Sequence, residues 1–192
     1  GAINAFESGT LVVENGKITL DVVIDGEAHH VEYVGNTTIP DNQSEVTVYS
    51  TLDGDYEADL SDHTLVYECY GDYYEFGYTN WMFVITPNDG DGDCFQFDFI
   101  TDKKTAEEGF IGEYISSDYL AINSFIPGWT DNVHLLCSWY FTVDQSELAP
   151  FRGGKMSIKD NGDGTITVDI DVKDDLRNRI TGTWTGVPQA NN

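Results

Sequence analysis

After the turn at 161–164, the chain alternates strictly: Ile166, Val168, Ile170 and Val172 fall on one side, and Thr165, Thr167, Asp169 and Asp171 on the other. Near the N-terminus Ile18, Leu20, Val22 and Ile24 repeat the pattern against Thr19, Asp21, Val23 and Asp25. A period of two puts successive side chains on opposite faces of a strand, so each segment predicts a strand with one dry and one wet face. Each segment sits in a longer look-alike ribbon, Gly9–Gly35 and Gly154–Gly186. Asn15-Gly16 between LVVE and KITLDVVID is a strong hairpin signal.

The rest of the chain fits the same class. Residues 36–63 are polar and turn-rich, and read as a crossover or linker with an edge strand near Val46–Tyr49. From Thr64 aromatic residues crowd together, with strands expected at about 64–70 and 80–86. Phe95, Phe97 and Phe99 alternate with Gln96 and Asp98, which predicts another half-buried strand. FIGEYIS (110–116) reads as a strand, and VHLLCSWYFTV (133–143) as a long central strand buried on both faces. KKTAEEG (103–109) is the one short helix expected, ended by Gly109. The expectation is a single all-β domain over 1–192, an antiparallel barrel or sandwich with little helix. Its main unit spans 64–186, with the 9–35 hairpin integrated into the same core.

Charge narrows the partners. The chain carries 34 acidic and 9 basic residues, a net charge of −25. From Ile18 to Asp102 there is no Lys or Arg, while 19 Asp and Glu fall there. Such a surface repels phosphate backbones and anionic lipid, which excludes nucleic acid as an expected partner. No apolar run approaches the ~20 residues of a membrane-spanning helix, so membrane insertion is not expected either. Gly1 opens the chain with no Met and no signal-like stretch, so a targeting region is expected to have preceded it. Cys69, Cys94 and Cys137 stand among strand-forming residues at no metal-like spacing. They read as three buried thiols, or as one disulfide and a free thiol.

Several patterns bear on chemistry. Asp89, Asp91 and Asp93 alternate as the start of a Ca²⁺ loop does, but the sixth position is Cys94 and the twelfth Ile100, where such a loop needs Gly and Glu. An acidic hairpin turn accounts for the same residues, and Ca²⁺ stays as the alternative. Asp160–Gly164 is a weaker version of that pattern. His29 and His30 are adjacent and face opposite sides of a strand, while His63 and His134 stand alone. No nucleophile elbow or phosphate-cradling glycine loop is present. Tyr73, Tyr74, Phe76, Tyr78 and the loop residue Trp129 are the candidate binding set. They could form a stacking platform for a sugar face, or the mouth of a cavity for a small apolar ligand; filling the core is the competing role.

Tyr70-Gly71, Gly112–Tyr114, the long apolar segment and the closing Gly182–Gly186 (Gly-Thr-Trp-Thr-Gly) together form a wider pattern. It resembles secreted or surface lipoproteins of gut Bacteroidetes, some described as calycin-like β-barrels. The resemblance covers about 64–186 and, more weakly, 9–35. It implies export to the periplasm or cell surface, lipid anchoring and no known catalytic residues. The expected function is therefore a non-enzymatic surface protein that binds a ligand or partner through aromatic loops. A carbohydrate-binding module, a structural or adhesive component, and a hydrolase without a recognisable motif are the alternatives.

Overall fold

Strand alternation governs the computed structural model, which describes residues 8–14, 16–24, 26–35, 47–75, 77–131 and 133–191. Contacts divide the chain into two compact units, 1–47 and 48–192. In the first, β1 (Ser8–Glu14), β2 (Lys17–Ile24) and β3 (Glu27–Val34) form an antiparallel three-stranded sheet. Leu11 pairs with Leu20 and Leu20 with Val31; Val13 pairs with Ile18 and Ile18 with Tyr33. Directly paired residues share a face, so these pairs make one apolar row. The 9–35 ribbon therefore completes a sheet of its own, and Leu11, Val13, Val31 and Tyr33 in its apolar row are exposed.

The second unit runs β4 (Tyr56–Ala58), β5 (His63–Gly71), β6 (Asn80–Pro87) and β7 (Asp93–Ile100), then a single 3₁₀ turn at Ala106–Glu108. Short strands follow: β8 (Gly112–Ser116), β9 (Ser124–Phe125), β10 (Trp129–Thr130), β11 (Leu135–Leu136), β12 (Trp139–Thr142) and β13 (Leu148–Pro150). The chain closes with β14 (Gly153–Asp160), β15 (Ile166–Lys173), β16 (Arg179–Gly186) and β17 (Gln189–Ala190). The large sheet has the order β17-β5-β6-β7-β9-β8-β14-β15-β16-β4, with β12 also on β7 and β13 on β12; β10 and β11 form a separate two-stranded ribbon. This sheet curls into a half-barrel. The indole N–H of Trp184 on β16 donates to the carbonyl of His63 on β5 at 2.9 Å, linking strands far apart in the sheet order.

Aromatic rings fill the concave side. Phe83 packs edge-on against Phe99 at 4.7 Å between centroids, Phe99 against Tyr114 at 4.6 Å, and Phe97 against Phe125 at 5.5 Å. Phe83, Phe95, Phe97, Phe99, Phe125 and Phe151 are fully buried. Rings at these separations and edge-to-face angles add to the area they bury, so the interior is a packed core.

Two sequence expectations change here. The segment 133–143 is not one strand: Cys137 adopts a left-handed φ of 66° between β11 and β12. That corner sends Leu135 and Leu136 to β10 and Trp139–Thr142 to β7 and β13. The short helix is a 3₁₀ turn, stopped at Gly109 with φ 75°.

Candidate functional site

On β7 the odd positions Phe95, Phe97 and Phe99 enter the core, so Gln96 and Asp98 face the other way. On β6 the same alternation buries Trp81, Phe83 and Ile85 and turns Met82 outward, directly paired with Asp98. Tyr70 stands near the end of β5. This outer face is the floor of a cleft of about 750 Å³. Tyr73 and Tyr74, from the β5–β6 connection, form one wall; Ile126, Trp129 and Leu135–Cys137 form the other. A cleft of this size, apolar with few polar groups, is of the kind that takes small ligands.

The second wall is fastened to β7 by hydrogen bonds. Ile126 N–H donates to the Asp98 carbonyl at 2.8 Å, and the Asp98 N–H to Ser138 Oγ at 3.1 Å. Gln96 Nε2 donates to the Cys137 carbonyl at 2.7 Å. The left-handed corner at Cys137 is what turns that carbonyl and the flanking leucines over the floor.

Asp98 is the chemical centre. It is only 8% exposed, and Asn80 Nδ2 donates to its Oδ1 at 2.6 Å while the Tyr74 hydroxyl donates to Oδ2 at 3.3 Å. The Cys137 thiol lines the same cleft. Burial pushes the Asp98 carboxyl above the usual carboxylate range, and these hydrogen bonds only partly offset it. Burial, with Asp98 nearby, pushes the Cys137 thiol up to about 12 and raises the Tyr74 phenol. Both groups are therefore neutral at neutral pH.

The rings around this carboxylate touch one another. Tyr73 and Tyr74 meet edge-on at 5.0 Å and 89°, and Tyr70 lies 6.3 Å from Tyr73. Tyr73 is 67% and Trp129 49% exposed, so both present ring surface to solvent. No family model, curated protein or solved structure matches the chain.

Of the sequence candidates, the fold brings Tyr73, Tyr74 and Trp129 into this one cleft. Tyr78 is half-buried and lines no part of it, and Phe76 lies outside the described residues. The cleft sits on the outside of the sheet rather than at the mouth of an interior cavity. Asp98, Asn80, Gln96 and Cys137 were missed as site residues. The alternation Phe95/Gln96/Phe97/Asp98/Phe99 carried the signal, because it sets two polar side chains opposite three rings.

Asp89, Asp91 and Asp93 are not gathered together. Asp89 Oδ1 accepts the N–H of Asp91 at 3.1 Å, closing the turn, while Asp93 accepts the hydroxyls of Tyr56 at 2.7 Å and Tyr140 at 2.9 Å. Among the described residues no group of three or more His, Cys, Asp or Glu is placed to hold a metal ion. The histidines are likewise dispersed: His30 pairs with Asp21 at 2.6 Å, His134 with Asp131 at 3.1 Å, and His63 Nε2 meets the Asp93 carbonyl at 3.1 Å.

Proposed function

We propose that this protein is a non-enzymatic binding protein whose ligand lies in the Tyr73/Tyr74/Trp129 cleft. The observation that carries the reading is the meeting of exposed rings from two separate connections over a buried carboxylate. Ring faces supply contact area at little entropic cost, and Asn80, Gln96 and Asp98 supply directional groups beneath them. Burial keeps the Cys137 thiol protonated at neutral pH, so it does not serve the cleft as a thiolate nucleophile. An extracellular setting belongs to the same proposal. Its support is the acidic composition and the resemblance in the glycine and aromatic pattern, and cell fractionation with a specific antibody tests it.

A carbohydrate is the second reading, favoured by the exposed faces of Tyr73 and Trp129 beside amide and carboxylate groups. The test is direct. The indole resonance of Trp129, assigned through Trp129→Phe, is followed during titration with a panel of neutral sugars, amines and small apolar molecules. Saturable shifts that vanish in Tyr73→Ala support the cleft as the site. Saturable binding that leaves this resonance unmoved places the function elsewhere.

A further inference from the structure

The side-chain donors to the Asp98 carboxylate are an amide, Asn80, and a phenol, Tyr74, both neutral. Burying a carboxylate among neutral donors is unfavourable, and in most folds a guanidinium or ammonium offsets that penalty. The chain does not supply one here. Lys and Arg are absent from 18–102 and again from 105–151, which together contain every residue of the cleft. The carboxylate nonetheless lines a cleft open to solvent.

The surroundings limit what can complete it. Tyrosine and tryptophan faces carry negative electrostatic potential and attract a cation that sits over them. Met82, Leu120, Ile126, Leu135 and Leu136 supply an apolar lining that solvates methyl and methylene groups. A hard metal ion is held by several carboxylate and carbonyl oxygens at once, and this lining offers one carboxylate, whose oxygens already accept from Asn80 and Tyr74. An anion would meet Asp98 with no counter-charge. A net charge of −25 also concentrates cations around the molecule before they dock.

We propose that the cleft binds an organic ammonium ligand, its charged head against Asp98 and the tyrosine rings and its carbon skeleton along the leucine wall. This rests on the reading of the cleft as a binding site and names the class of ligand. Tyr73, Tyr74 and Trp129 form the ring surface, Asp98 is the counter-charge, and Asn80 holds that carboxylate in place.

Choline and its uncharged carbon isostere 3,3-dimethylbutan-1-ol have nearly the same shape and differ in charge. Both are titrated against the full chain, with the Trp129 indole resonance as readout and a neutral glucose oligosaccharide as a third probe. Choline is expected to bind at least about tenfold more tightly than the alcohol. Asp98→Asn should abolish that preference, so that choline and the alcohol bind the variant alike. Tyr73→Ala, at an exposed position that cannot unfold the core, should weaken choline several-fold. Equal binding of choline and the alcohol overturns charge recognition while the cleft remains a binding site. Binding of the sugar with choline silent overturns it in favour of carbohydrate. If none of the three probes perturbs Trp129, both the ammonium proposal and the cleft as a binding site fail.

Discussion

Asn80 on β6 donates its side-chain amide to Asp98 on β7 at 2.6 Å, and also reaches the Phe99 carbonyl at 3.1 Å. One fully buried amide thus braces the carboxylate from the neighbouring strand. The arrangement fixes where the negative charge sits but does not neutralise it.

The first prediction follows from that imbalance. An acid whose folded pKa is raised is penalised in its charged form, so its contribution to stability is least favourable above the folded pKa. The penalty fades as pH falls through that value toward the unfolded one, about 3.9. Asp98→Asn should therefore be more stable than the wild type at pH 7, and the gap should close as the pH approaches 4. Urea unfolding at a series of pH values measures it. A variant less stable at pH 7 would mean that hydrogen bonds to the carboxylate outweigh its burial.

The same charge bears on Cys137. All three thiols are free; burial pushes Cys94 up to about 11 and Cys137 up to about 12. Only the thiolate reacts readily, so both should resist a maleimide at pH 7.5 in the native protein and react at once in urea. Mass spectrometry of the labelled peptides checks this. Rapid native labelling of Cys137 would mean that the β11–β12 corner opens.

Asp93 anchors a second network, away from the cleft. It accepts the Tyr140 hydroxyl at 2.9 Å and the Tyr56 hydroxyl at 2.7 Å, and the two rings lie 5.3 Å apart. Asp93→Ala strands the Tyr56 phenol, while the Tyr140 hydroxyl keeps the Glu147 carboxylate at 3.3 Å, and should cost about 1–3 kcal/mol. Adding Tyr56→Phe to that variant should recover part of the loss, because it removes the stranded hydroxyl. A double variant no more stable than Asp93→Ala would show that the ring packing, not the hydrogen bond, was disturbed.

Alternation made the strands legible: β2, β7 and β15 lie where the period of two places them. It could not say which sheet a strand joins, because Ile18 and Ile166 have the same local pattern and different long-range partners. The corner at Cys137 was invisible for a related reason. An unbroken apolar run fits one buried strand or two short ones, and only a tertiary contact such as Gln96 to the Cys137 carbonyl decides between them. The rings Tyr73, Tyr74 and Trp129 could be nominated by type. The alternation sets Asp98 opposite three rings, but its burial depends on the Ile126 and Ser138 wall, which a local pattern does not show.

The boundary between the two units carries a fourth prediction. The second unit secures its own first residues: the N–H groups of Tyr49 and Ser50 donate to Asp175 at 2.7 and 3.1 Å, and Thr51 N–H donates to the Leu148 carbonyl at 2.9 Å. The aromatic core is formed wholly from residues beyond 48. A fragment spanning 48–192 should therefore unfold cooperatively and keep the near-ultraviolet circular dichroism of its packed rings. A fragment lacking both would assign a structural role to 1–47.

Gly128 sets the position of Trp129. A Cβ at residue 128 would lie 2.3 Å from the Ser138 carbonyl oxygen and 2.8 Å from Trp139 Nε1. Neither neighbour can give way. Ser138 and Trp139 are fully buried, the Ser138 carbonyl accepts the Phe151 N–H at 3.1 Å, and Trp139 Nε1 donates to the Leu136 carbonyl at 2.7 Å. The displacement must instead fall on the 127–130 backbone, which carries Trp129 into the cleft. Gly128→Ala should cost about 1–3 kcal/mol, as overpacking of a filled site does, and should shift the Trp129 indole resonance. Gly54→Ala, where an added Cβ meets nothing within 4 Å, is the control and should stay within about 0.5 kcal/mol. If Gly128→Ala matches that control in both stability and indole shift, the wall of the cleft is not held where these contacts put it.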